Sequence, residues 1–163
     1  MRKIQVMELS REAFAPYGEY YDMLHPEGYA LEGEIHRFYP DRLSESSVTR
    51  VAYSPIEVKK EERMIVKAVE YHTTTPELIL PLNDDMIIHV APASGGCPVT
   101  ELTKAFIVPC GTLVKIRTAI WHLAPLPVNA ETLHAMIILP ECVYANDCTV
   151  VELDETEQFE IEK

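Results

Sequence analysis

Two imidazoles and two carboxylates are the side chains best placed to do chemistry together: Glu70, His72, Glu77 and His122. In an extended segment over 64–72, side chains alternate between faces, so Glu70 and His72 share one with Met64, Val66 and Ala68. A carboxylate on an apolar face is costly unless it is paired or bound to a metal. Taken alone, that strand end reads better as frayed, with both side chains in water. A second segment changes the balance. Pro109-Cys110-Gly111 is a turn signal, because proline fixes φ and glycine accepts a positive one. A strand follows it, and Trp121-His122 stands beyond that strand's end. If the two segments converge, His72, Glu77 and His122 make a ligand set suited to one divalent ion, Zn, Mn, Fe or Ni, with Glu70 beside it. Such an ion polarises a carbonyl or hydroxyl oxygen as a Lewis acid. Without one, the same groups can still do acid–base work near neutral pH.

Three neighbours are candidates for binding substrate: Arg117, His134 and Trp121. Arg117 is a carboxylate clamp if it turns inward and a plain surface charge if it does not. His134 alternates with Met136 and Ile138, which would aim it into the interior beside the site. His89 lies in an almost wholly apolar stretch and reads as a core or edge residue. His25 and His36 read as surface-loop residues.

These residues must be held by strands. Segments 47–53, 64–72, 78–82, 86–91, 103–108, 112–117, 133–139 and 149–153 are short, rich in Val, Ile and Thr, and bounded by turn residues. Such spacing argues for a sandwich or barrel. Residues 60–72 also fit a helical period through Ile65, Ala68 and Val69, but their β-branched content favours a strand. Ser10 can cap a short helix over Arg11-Glu12-Ala13-Phe14 that stops at Pro16 and Gly18. Residues 19–46 read as irregular, anchored by Tyr20, Tyr21, Phe38 and Tyr39.

The 163 residues suit a single domain spanning 1–163, with a core large enough to need no disulfides. The formal net charge of −12 opposes binding to nucleic acid and to anionic membrane surfaces. No apolar run suits a signal peptide or a membrane span, so a cytoplasmic location is expected. Cys97, Cys110, Cys142 and Cys148 show no C-x-x-C spacing, which argues against a zinc ribbon or a thioredoxin-like site. The acidic stretch at 151–157 reads as a solvated edge.

With these features in place, the chain resembles the ureidoglycolate lyase family. The segment from Leu9 to Gly18 looks like the family's opening motif, and Glu70-Tyr71-His72 with Glu77 to Leu82 resembles its Glu-x-His, Gln-x-x-x-Pro block. The strand Ile87-Ile88-His89-Val90-Ala91-Pro92 takes the place of its Val-rich strand, and Lys104-Ala105-Phe106, Gly111 and Trp121-His122 match later landmarks. The resemblance implies an all-β, cupin-type double-stranded β-helix (jelly-roll) barrel with a short N-terminal helix, forming a homodimer. It further implies cleavage of ureidoglycolate to glyoxylate and urea, with Glu70, His72 and His122 in contact with substrate or metal. The chain departs from the family's pattern at Glu77, where Gln is usual, and at Ile116-Arg117, where Tyr-His is common. Leu123 replaces a second histidine, and His134 stands where Asp is expected. Two other expectations stand beside this one. One is a metal-dependent sugar or sugar-acid isomerase using His72, Glu77 and His122; the other is a non-catalytic cupin that binds a metabolite.

Overall fold

Strands form where β-branched residues either alternate with polar ones or run unbroken. A computed structural model describes residues 1–47 and 49–163. In chain order the elements are β1 (Arg2–Glu8), helix α1 (Arg11–Phe14), β2 (Gly18–Asp22), β3 (Leu31–Glu32), β4 (Arg37–Phe38) and β5 (Val51–Lys59). Next come β6 (Met64–Val66), β7 (Ala68–Tyr71), β8 (Glu77–Pro81), β9 (Met86–Val90), and a 3-10 turn over Thr100–Leu102. The order ends with β10 (Lys104–Val108), β11 (Thr112–Ile116), β12 (Leu126–Pro127), β13 (Thr132–Pro140), helix α2 (Val143–Asn146), β14 (Thr149–Glu152) and β15 (Phe159–Glu162).

Two sheets carry the architecture, one ordered β12-β9-β10-β1-β15-β6 and the other β2-β11-β8-β13-β5. Two-stranded ribbons, β14-β7 and β3-β4, complete it. One apolar cluster joins both sheets through Ile79, Met86, Ile88, Val90, Phe106 and Val114. A second gathers Val66, Val69, Ile87, Ala91, Trp121 and Phe159. Every residue of β9 is buried, which explains its unbroken apolar run. Helix α1 is capped as expected, the Ser10 hydroxyl accepting from the Ala13 N–H at 3.2 Å. It drops Phe14 edge-on against Phe106, ring centres 5.5 Å apart.

The all-β reading holds, and the segment 60–72 is extended, with three differences that matter. The strand expected at 47–53 lies at Val51–Lys59 instead, and residue 48 falls outside the described residues. Pro55 sits inside this strand, which is tolerable because β5 is a sheet edge. Second, β1, β2, β12 and β15 join the sheets, although residues 2–8 and 19–22 carry no strong strand run. Only the alternation of Ile4 and Val6 with Lys3 and Gln5 signals β1, and it pairs parallel with both β10 and β15. Third, the segment 64–72 is broken at exposed Lys67, where the chain leaves β15 for β14. Val66 and Val69 therefore share the second cluster. The parity changes at the break, so Glu70 and His72 do not share a face with Val66, which corrects the alternation argued from sequence.

The turn at Gly111 follows the sequence. Its φ is +79°, and the Thr112 N–H donates to the Pro109 carbonyl at 3.0 Å. A Cβ there would also lie 2.4 Å from Leu24 Cγ. Gly111→Val is expected to lose about 1–3 kcal/mol, chiefly through the left-handed backbone. Urea unfolding checks this, and an unchanged midpoint would show that the turn tolerates a side chain.

Candidate active site

The connection from β7 to β8 is tied to the C-terminal end of α2. The Asp147 carboxylate accepts from the backbone N–H groups of Thr73 at 2.7 Å and Thr74 at 2.8 Å, and from both threonine hydroxyls. Partial burial alone would raise its pKa, but these donors hold it at about 2. This tie sets His72 at the start of the loop and Glu77 at the first position of β8. His122 arrives from the far side, its backbone bonded to Glu70 in both directions at 2.7 and 2.9 Å.

The result is a convergence of Glu70, His72, Glu77 and His122, whose ligand atoms all lie within 4.8 Å of one another. His72, Glu77 and His122 are 1, 5 and 2% exposed, whereas Glu70 is partly open. Both imidazole Nε2 atoms face one oxygen, Glu77 Oε2, at 3.1 Å from His72 and 3.0 Å from His122. Their Nδ1 atoms lie 2.6 Å from the Asp147 carbonyl and 2.8 Å from the Ile120 carbonyl. A carbonyl only accepts, so each Nδ1 is assigned the proton. Neutral rings would then aim two lone pairs at a carboxylate, which is repulsive. The arrangement calls for a proton on each Nε2 or for a cation among the three groups.

The electrostatics agree. Burial opposes charge on both histidines, but the Glu77 carboxylate outweighs it and raises their pKa values. Burial would likewise raise Glu77, yet His122 and then His72 pull it down to about 2. The donor set fits a divalent ion. It has nitrogen and oxygen ligands, and each imidazole is oriented through its other nitrogen, as metal-binding histidines usually are.

A family model described as ureidoglycolate lyase matches residues 1–162. The chain belongs to the ureidoglycolate lyase family, a family of enzymes. A ureidoglycolate lyase from Pseudomonas savastanoi pv. phaseolicola is 27% identical over 133 residues, 75% of this chain and 74% of that one. Another from Rhodobacter capsulatus is 26% identical over 141 residues, 84% of this chain and 86% of that one. Among solved structures, a dTDP sugar isomerase from Desulfovibrio desulfuricans G20 superposes with a TM-score of 0.54 at 12% identity, covering 87% of this chain and 89% of that one. That likeness concerns the fold alone, an all-β, cupin-type barrel.

Within this family member, three candidates from the sequence do not join the cluster. Arg117 is exposed and lines a different cavity, so it is no clamp at this site. His134 is also exposed, 3.4 Å from Glu57, because the buried face of β13 is Leu133, Ala135, Ile137 and Leu139. The expected inward set, His134 with Met136 and Ile138, is the opposite face. Trp121 is buried in the second cluster, its ring centre 4.5 Å from that of Tyr71 and its indole N–H given to the Ser94 hydroxyl at 2.8 Å. His89 is buried as expected, edge-on to Phe159.

Sequence reasoning missed the contribution of 144–148. The Cys148 thiol donates to Glu70 Oε2 at 3.2 Å, and burial followed by Glu70 pushes its pKa up to about 12. All four cysteines are free. Tyr144 on α2 feels both Glu77 and Glu70, and with partial burial as the leading cause its phenol rises to about 12. No motif in the sequence flags this segment; only its packing against the loop at 72–75 does. Asp147→Ala keeps the backbone carbonyl that meets His72 Nδ1 but removes the carboxylate that ties down Thr73 and Thr74, so the loop that carries His72 should loosen. Metal affinity is then expected to fall about 10- to 100-fold with the fold retained. A metal titration equal to the unsubstituted protein's would show that Asp147 does not orient His72.

Proposed function

We propose that this chain cleaves ureidoglycolate into glyoxylate and urea, using Glu70, His72, Glu77 and His122. The observation that carries the reading is the convergence of these four side chains, one of them open to solvent, in a chain of the ureidoglycolate lyase family. The substrate is a carbinolamide: one carbon holds a hydroxyl, a carboxylate and the urea nitrogen. Removing the hydroxyl proton lets that oxygen form a carbonyl as the carbon–nitrogen bond breaks, and the departing nitrogen takes up a proton. The proton account is neutral overall, so one carboxylate can serve both steps.

Glu70 suits that role, since it alone among the four is not buried and so meets an incoming molecule. It takes the hydroxyl proton and delivers it to the leaving urea nitrogen. The Cys148 thiol, protonated at neutral pH, holds one of its oxygens in place. His72 and His122, each ring fixed through its Nδ1, act on the substrate through Glu77 or through the ion the three groups would hold. Glu77 keeps both Nε2 atoms pointed inward. His72, Glu77 and His122 would hold one divalent ion, Zn, Mn, Fe or Ni, which when bound supplies Lewis-acid polarisation of the substrate's hydroxyl or carbonyl oxygen.

The single domain is proposed to work in the cytoplasm on a small-molecule substrate. Among the described residues, no helix is long and apolar enough to cross a membrane. A homodimer is part of the proposal, supported by exposed apolar side chains such as Ile35, 94% exposed, and Tyr29. The deciding experiment supplies ureidoglycolate to purified protein and measures glyoxylate, urea and ammonia. Equal glyoxylate and urea without ammonia is the expected result. Ammonia instead of urea would mean hydrolysis of the ureido group, and no product would turn attention to isomerase or metabolite-binding roles.

A further inference from the structure

Three arginines elsewhere in the fold line a second cavity. Arg11 on α1, Arg117 just beyond β11, and Arg42 in the segment after β4 line one cavity of about 250 Å³ with Tyr20, Tyr21 and Glu19. Only 14 of the 163 residues are basic against 26 acidic, so three arginines in the lining of one hollow stand out on an acidic chain. Among the described residues none of the three meets a carboxylate within 4.0 Å. The acid in the lining, Glu19, is already engaged by Lys115 at 3.2 Å.

Arg42 is held in place by its surroundings. Its Nε is buried and, among the described residues, has no hydrogen-bond partner. The rest of its side chain is well placed: the guanidinium lies 5.7 Å from the ring centre of Tyr21 and 5.9 Å from that of Tyr39, and it also donates to the Tyr29 carbonyl. Tyr21 is itself fixed, its hydroxyl donating to the Glu27 carbonyl at 2.6 Å and accepting from the Glu27 N–H at 2.7 Å. Arg42 is thereby fixed beside the cavity, and an oxyanion is the ligand that a guanidinium fork suits best.

We infer that this cavity binds a small oxyanion, phosphate or the phosphate of a small metabolite, between Arg11, Arg42 and Arg117. The volume is below that of pockets for drug-sized molecules, which restricts the ligand to a compact one. The same geometry accounts for Arg117 lying away from the histidine cluster. The sequence offers this residue as a carboxylate clamp only if it turns inward and as a surface charge otherwise; here it lines the arginine cavity beside β2, an edge strand. The inference is independent of the reaction proposed above, because its test needs no turnover.

Thermal unfolding of the full chain is followed with inorganic phosphate, with potassium chloride matched for ionic strength, and with adenosine monophosphate. Phosphate at roughly thirty times its dissociation constant is expected to raise Tm by about 4–8 °C over the chloride control. The rise should vanish in Arg117→Gln and in Arg42→Gln. Should Arg42→Gln fail to fold, the guanidinium resonances of Arg11 and Arg117, followed by NMR in the unsubstituted protein, report the contact directly. Tighter binding of adenosine monophosphate than of phosphate would place its base on Tyr20 or Tyr21. Equal binding would identify the bare oxyanion as the ligand. No shift beyond chloride, or an equal shift in Arg117→Gln, overturns the site.

Discussion

His122→Ala is expected to lower kcat/KM for ureidoglycolate by about 10²- to 10⁴-fold while the barrel stays folded. His122 contributes one of two Nε2 atoms facing Glu77, and its backbone, which the substitution leaves in place, holds Glu70. Losing the ring removes a ligand or an acid–base partner without touching the two apolar clusters. Some stability goes with it, about 1–3 kcal/mol, because Glu77 keeps only His72 as a buried partner. Bound metal, measured on the same preparation, should fall in parallel. Kinetics within a few-fold of the unsubstituted protein, in a sample whose melt remains cooperative, would remove this cluster from the mechanism.

The second large effect is on stability against acid, and it comes from His89. Burial, and after it the neighbouring His122, lowers its pKa from 6.5 to about 3. In the folded chain it stays neutral where the unfolded chain takes up a proton. Its contribution to stability is therefore complete above pH 6.5 and is lost as pH falls toward 3, at about 1.4 kcal/mol per pH unit below 6.5. Between pH 6.5 and 4.5 this slope stands apart from the other buried groups. His72 and His122 have raised values, so their contribution is complete below 6.5 and is lost as pH rises through their folded values. Glu77, at about 2, keeps its contribution down to its ordinary range near 4.5 and loses it below. In the metal-free protein, His89→Leu should flatten the fall in stability over that window. Denaturant midpoints measured at pH 7.0 and 4.5 test it, and parallel lines for the two proteins would show that His89 is not held neutral.

The His89 case also shows what one strand's composition can reveal. Its neighbours in β9 are apolar at every position, so burial was legible from the run itself. The same is true of Gly111, whose positive φ follows from the Pro-x-Gly order, and of the Ser10 cap. These are local features, decided by side-chain chemistry within a few residues. The all-β class was legible for the same reason, since many short β-branched runs between turn residues leave few other architectures.

Which side chains meet was only partly a local matter. Glu70, His72, Glu77 and His122 were identifiable as chemically able, and the family resemblance pointed to three of them. Their common meeting point depends on Asp147 and Ile120 carbonyls that no spacing rule connects to His72 and His122. Face assignment failed at a break in one pleat and, in an unbroken strand, in the choice of which face is buried. The break at Lys67 reverses the parity of β7, and pairing with β5 and β8 turns His134 outward while Leu133 goes in. Arg117 ends one residue past β11, where the turn rather than the strand decides its direction. Sequence by itself determined which residues were buried in long apolar runs, where the tight turns fall, and which groups have the chemistry. Tertiary structure alone decided register, the faces of interrupted strands and the convergence of distant groups, because these depend on pairing energies between segments far apart in the chain.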